Sequence, residues 1–323
     1  MKRGIYILVL LFFTFVSCKG KPVAAEAKNI IEAPDFNSDS AYFYTEKQLQ
    51  FGYRIPNTKE HKAAADFLGG ELARYGADTV MQRGWVTAYD GTKLDIVNII
   101  GSFSPKKERR VLLFAHWDSR PYADNDPDSA NHRKPIAGAD DGAASVAVLL
   151  EIARQIGIKS PSVGVDIIFF DAEDYGTPYF YEGGDGEDTW ALGTQYWCDR
   201  PHIQGYRAEY GILLDMVSGQ GSRFYQEQVS MHYASGVVRK IWDEAHRLGY
   251  GAYFPKEKGG AVTDDHLYVN RMGVPSADII AYDQSSDTGF PSYWHTLRDD
   301  IRNIDRNTMK AVGQTVLSVI YNE

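Results

Sequence analysis

Apolar residues recur along this chain in two rhythms. Short, mostly apolar runs of strand length occupy 97–100, 111–114, 165–170, 212–214 and 274–280. A run without polar alternation predicts a strand covered on both faces, as in a parallel sheet. Helical spacing marks 60–75, rich in Ala and Leu and stopped by Gly76, and 143–156, apolar on most sides and so predicted to be well covered. Helices are also expected over 236–248 and 308–321. Strand and helix alternate, which predicts an α/β fold: one domain with a mostly parallel, twisted central sheet and helices on both faces. No internal repeat breaks the pattern. Two long polar stretches do, 120–136 and 175–189, the second carrying Glu-Gly-Gly-Asp-Gly-Glu-Asp. Loops of that length in a compact domain are usually functional, metal-binding or disordered. The acidic one lacks EF-hand spacing, so calcium is not expected there.

The first residues follow a different pattern. Lys2 and Arg3 precede an apolar run over 5–16, then Ser17 and Cys18. A positive start, a short apolar centre and a small residue at the cut form an export signal. The run is too short to cross a membrane comfortably. Phe15-Val16-Ser17-Cys18 resembles a bacterial lipoprotein processing site, except that Phe15 stands where leucine is usual. The expectation is a signal peptide over 1–17, a lipidated Cys18 with a tether over 18–40, and a catalytic domain over 41–323. A plain secretory signal with a chance cysteine is the alternative. The lipidated form would be periplasmic, held to a bacterial membrane by its acyl chains alone. Cys198 then has no disulfide partner in the mature protein and reads as a small buried apolar residue.

Composition adds bounds. At 323 residues, 44% of them hydrophobic, the protein has enough apolar material for a large core. The net charge is −9, from 34 basic and 43 acidic side chains. The basic residues are scattered, which argues against a nucleic-acid partner, and the acidity reads as solubility.

Acids and histidines sit where apolar runs end: His116-Trp117-Asp118, Asp141 in GADDGA, Glu173-Asp174 in FFDAED, Asp215 in LLDM, and His295 in YWHT. In an open parallel sheet, the carboxyl ends of the strands converge on one crevice. Zinc takes nitrogen and oxygen ligands of this kind, and a catalytic zinc keeps one position open. Each residue also has a plainer reading. His116 alone is more often a core histidine bonded to a carbonyl. Asp118, two residues on along an extended backbone, points to the same side and is a natural partner for orienting His116. Asp140 and Asp141 read as helix caps, one of them free for a metal. Glu173 and Asp174 end an apolar strand, so their proton affinities should be raised or coupled. As neighbours on an extended strand they should face opposite ways, one toward a metal and one handling protons. In Asp264-Asp265-His266, ahead of the helix-like LYVNRMG, capping and loop hydrogen bonds account well for Asp265 and His266.

In succession, HWDS, GADDGA, FFDAED, LGTQYW, LLDM, TDDHLYVNRMGVP and YWHT resemble the zinc-dependent glutaminyl cyclases of animal type, and the related di-zinc aminopeptidases. The resemblance runs over 51–323 and implies the zinc aminopeptidase-like fold. It implies Asp141, Asp174 and His295 as zinc ligands, Glu173 as proton shuttle, and Asp215 and Asp264 as an acidic network behind it. Trp294 and Trp190 would line the substrate pocket. In the peptidases, counterparts of His116, Asp141 and Asp215 hold a second metal. The cyclases keep these residues yet bind one zinc, so ligand count leaves the number open. Trp294 before the last ligand, and the Asp264-Asp265-His266 loop, favour the cyclase branch. Asp174 departs from the glutamate of the animal enzymes, and their disulfide is absent. The implied activity is an acyl transfer: N-terminal glutamine of peptides and exported proteins becomes pyroglutamate, with ammonia released, using one zinc per protein molecule. The alternatives are a di-zinc aminopeptidase and a catalytically silent binding lipoprotein, which would have no need of Glu173.

Overall fold

The apolar runs form the centre of a six-stranded sheet in the order β1-β2-β4-β3-β5-β6. Its strands are β1 (Asp78–Thr87), β2 (Lys93–Phe103), β3 (Arg110–His116), β4 (Gly164–Phe170), β5 (Tyr210–Asp215) and β6 (Ser276–Ile280). The computed structural model describes Met1, residues 30–183 and residues 188–323; most of the leader, Cys18 and the centre of the acidic run lie outside the described residues. Strands β3 to β6 pair in parallel, whereas β1 with β2 and β2 with β4 are antiparallel. The sheet is therefore mixed, parallel where the acids and histidines lie.

Among the described residues seven α-helices cover it: α1 (Ser38–Leu49), α2 (Lys59–Arg74), α3 (Ser145–Ile158), α4 (Leu192–Asp199), α5 (Gln228–Arg247), α6 (Asp265–Met272) and α7 (Arg306–Tyr321). Side chains alternate across a strand, and the two faces build separate cores. Leu113, Ile167 and Ile212 pack with α1, α2, α3, α5 and α7. Leu112, Phe114, Ile168 and Leu213 pack with Trp197 of α4 and Val269 of α6. Each fully buried side chain of this size contributes roughly 1.5–3 kcal/mol, so the sheet centre does not depend on a metal.

Several elements differ from the sequence expectation. The edge strand β1 was not foreseen, because each of its residues keeps some exposure and it carries no continuous apolar run. Helix α1 begins within the stretch read as a tether; it is mostly polar and is capped by the Asn37 side chain. Ahead of it, Phe36 is buried, in a space that exists because position 313 is glycine: a Cβ there would collide with the Phe36 ring. Helix α5 starts eight residues earlier than its apolar spacing suggested, under a cap from Glu227. Helix α3 begins at Ser145, after an irregular turn over Ala139–Ala144. Cys198 is half-buried at the edge of the second core rather than fully buried, and burial pushes its thiol up to about 12.

Candidate active site

The carboxyl ends of β4, β5 and β6 open onto a cavity of about 250 Å³. Its lining includes Asp141, Glu173, Asp174, Asp215, Asp264 and His295, with Trp190, Phe290 and Trp294 as aromatic walls. Segments far apart in sequence thus meet at the edge where parallel strands end.

Two triads share one aspartate. Nε2 of His295 lies 3.2 Å from Oδ1 of Asp174 and 3.6 Å from Oδ2 of Asp141. Nε2 of His116 lies 3.1 Å from Oδ1 of Asp141 and 3.3 Å from Oδ1 of Asp215. In each triad the candidate ligand atoms are within 4.8 Å of one another. Asp141 Oδ2, Asp174 Oδ2 and His116 Nδ1 are buried without a hydrogen-bond partner. Orphaned buried carboxylate oxygens are costly unless a cation or proton meets them. Oxygen and imidazole donors without thiolate suit zinc, so these residues fit the metal.

The local backbone explains how the ligands are aimed, and it corrects two expectations. Glu173 and Asp174 do not lie on an extended strand. Strand β4 stops at Phe170, and the backbone turns through a left-handed Ala172 at φ 51°. Both carboxylates therefore face the same cavity. Their two backbone N–H groups donate to Oδ1 and Oδ2 of Asp118 at 3.1 and 3.2 Å. Asp118 Oδ1 also lies 3.5 Å from Nδ1 of His116 without a hydrogen bond to it, so its hydrogen bonds steady this turn. Asp140 and Asp141 do not cap α3, which has no side-chain cap. They sit in a turn whose Gly138 and Gly142 are left-handed; a Cβ would come within 2.7 Å of the Asp141 carbonyl at the first and 2.8 Å of the Asp118 carbonyl at the second. The Asp140 carboxylate instead accepts from the Ser218 N–H at 2.9 Å and the Tyr293 hydroxyl at 2.7 Å. His295 and Met216 are left-handed too; such strain collects where the surrounding structure over-determines a functional site.

Burial sets the electrostatics. It raises Glu173 well above the ordinary carboxylate range, and the neighbouring Asp264 charge adds to the effect. Asp264 is pushed up to about 7, by burial and then by Asp215. Asp215 is pushed up to about 6 by burial, against a hydrogen bond with His116 that pulls the other way. Asp264 is also the N-cap of α6, its Oδ1 accepting from the Asp265 N–H at 2.5 Å. Asp265 accepts from the Thr194 hydroxyl at 2.5 Å, and His266 Nε2 lies 3.1 Å from Glu227 Oε2. A further group, Asp264, His266 and Asp278, lies within the same ligand spacing. Burial raises Asp278 well above the usual range, and both of its carboxylate oxygens are buried without a hydrogen-bond partner.

The aromatic walls hold the histidine. The Trp294 ring stacks on His295 with centroids 3.7 Å apart, and Trp190 lies parallel at 6.0 Å. The Arg120 guanidinium sits 4.7 Å from the Trp190 ring centroid. Four residues near the site were missed by the sequence reading: Arg54, Arg120, Asp124 and Asp299. Arg54 is fully buried and donates to the carbonyls of Trp117, Ala137 and Gly138 at 2.9, 3.0 and 2.7 Å, tying the end of β3 to the ligand turn. Arg120 and Asp124 belong to the polar stretch 120–136, whose Asn125 N–H also donates to the His295 carbonyl at 3.1 Å. The length of that loop was its only signal.

Residues 98–320 match the model of peptidase family M28. A Zn-dependent exopeptidase from Parabacteroides distasonis is 58% identical, over 90% of this chain and 100% of its own, with a TM-score of 0.89. The glutaminyl cyclase of Tannerella forsythia is 57% identical over 90% of this chain and 100% of its own, with a TM-score of 0.88. The glutaminyl-peptide cyclotransferase of Bos taurus is 25% identical over 241 residues, 66% of this chain; the match spans 62% of the length of that curated relative. With most of its fold and its whole cavity inside the matched region, the protein belongs to peptidase family M28.

Proposed function

We propose that the protein is a zinc-dependent glutaminyl-peptide cyclotransferase, which turns the N-terminal glutamine of peptides into pyroglutamate and ammonia. Glu173 is the observation that carries this reading: a carboxyl of raised proton affinity on the cavity wall, next to a three-ligand set. The similarity to the Tannerella forsythia glutaminyl cyclase supports it. Asp141, Asp174 and His295 would hold one zinc per protein molecule. A zinc held there would stabilise the negative charge that develops on the γ-carbonyl oxygen of the glutamine. The protein supplies the rest. A cavity of about 250 Å³ between Trp190, Phe290 and Trp294 suits one curled glutamine. Holding the α-amine against its own amide carbon makes the attack intramolecular, which supplies much of the rate. Glu173 takes a proton from the attacking amine and returns one to the departing nitrogen. A ring C–N bond forms, the C–N bond of the glutamine amide breaks, and ammonia leaves without consuming water. Asp215 and Asp264 keep the proton affinity of this pocket high.

A two-zinc aminopeptidase is the second reading. One observation favours it: Asp141 gives one oxygen to each triad, so His116 and Asp215 complete a second set. Metal analysis is expected to find about one zinc per protein molecule. Two tightly held zincs, both needed for activity, establish the peptidase. A glutaminyl peptide separates the reactions directly. The cyclase product loses the mass of ammonia, whereas the peptidase adds water and frees an amino acid.

Export and lipid anchoring at Cys18 complete the proposal, supported by the leader pattern alone. Exported proteins whose processing exposes glutamine would be substrates. Among the described residues no helix is long and apolar enough to cross a membrane; the anchor would be acyl chains. Cys18→Ser is expected to release a soluble enzyme with unchanged activity. A wild-type protein that is already soluble and starts at another residue refutes the lipidation.

A further inference from the structure

Asp124 and Asp299 lie outside the cavity lining, yet each grips a segment that carries a proposed zinc ligand. Asp299 is wholly buried. Its two oxygens accept from the backbone N–H groups of Asp140 at 2.9 Å and Asp141 at 3.2 Å. Asp141 has φ −80° and ψ 88°, between two left-handed glycines. Asp124 Oδ1 lies 3.5 Å from Nδ1 of His295. That nitrogen is opposite the Nε2 facing Asp141 and Asp174. The Asp124 carboxylate is itself fixed by Arg120 Nε and Nη2 at 2.8 and 2.7 Å and by the Tyr179 N–H at 3.1 Å.

We infer that Asp124 and Asp299 are positioning residues for the zinc site, an inference that rests on the ligand assignment proposed above. Asp124 holds the proton on Nδ1 of His295, leaving the Nε2 lone pair for the metal and making that nitrogen a stronger donor. Asp299 aims the Asp141 carboxylate by binding two successive amides with one charged group, a stronger contact than a neutral acceptor gives. Asp166 offers a matched contrast. It is equally buried and is held by Arg110 Nε at 2.7 Å, but in the first half of β4, away from the cavity.

Zinc affinity is measured by competition with a chromogenic chelator for wild type, Asp124→Asn, Asp299→Asn, Asp166→Asn and Asp174→Asn, with a thermal melt of each. Asp124→Asn and Asp299→Asn are expected to bind zinc roughly 10–100-fold more weakly. Asp166→Asn is expected to melt earlier with its zinc affinity unchanged. If Asp124→Asn or Asp299→Asn holds zinc as tightly as wild type, the positioning role of that residue is overturned, whatever its melting temperature. Should Asp299→Asn not fold, Asp299→Glu, which keeps the charge and moves it by one methylene, replaces it under the same criterion. Failure of the ligand assignment looks different: Asp174→Asn would then keep wild-type zinc affinity.

Discussion

Replacing Glu173 with glutamine is expected to slow turnover by roughly 10²–10⁴-fold, the usual contribution of a general acid–base group. The substitution keeps the shape and removes the titrating proton. Glu173 belongs to neither triad of candidate ligands, and its backbone N–H would still donate to Asp118. Zinc content is therefore expected to match wild type. Thermal stability should hold or rise slightly, because a neutral amide replaces a buried carboxyl beside Asp264. Turnover measured alongside metal analysis tests the assignment. A variant that turns over normally, or that loses zinc, removes Glu173 from the role of proton shuttle.

Asp174→Asn is expected to lose zinc on purification and to fall to background activity. A neutral amide oxygen replaces the carboxylate that lies 3.2 Å from His295 Nε2, so the site loses charge as well as a ligand. A strong chelator acting on wild type should have the same effect. Neither is expected to unfold the protein. The two cores are built from Leu, Ile, Val and Phe on both faces of the sheet, and loss of a bound ligand removes only its linkage term. Circular dichroism should keep its shape, and melting should stay cooperative a few degrees lower. The contrast with Glu173→Gln is diagnostic, because adjacent residues would give opposite metal phenotypes. Zinc retained in Asp174→Asn, or global unfolding on chelation, contradicts the ligand set.

The central strands were legible in the sequence because β3, β4 and β5 are buried on both faces, which leaves short and mostly apolar runs. The candidate acids were legible for a related reason. A carboxylate placed directly after such a run has left water, and few structural roles call for that. Glu173, Asp174 and Asp215 stood out for that reason, Asp141 and His295 through the motifs around them, and the structure brings all five to one cavity. Strand β1 and helix α1 escaped because each hides only part of its surface, so their patterns stay close to those of loops.

What the tertiary structure decided is direction and support. The backbone turns after Phe170 because the Asp171 carboxylate is taken by His61 and by the Val97 N–H, both remote in sequence. That turn swings Glu173 and Asp174 onto one side, where strand alternation would have parted them. Asp299 meets the amides of Asp140 and Asp141 across 159 and 158 positions. Arg54 reaches the same turn from 84 positions away, at the Gly138 carbonyl. Polar residues in loops carry no periodicity, and a hydrogen bond depends on distance and angle in space. The sequence alone therefore marked residues with donor chemistry that a metal site could use, through the cost of burying charge, and only the folded protein determined where each one points.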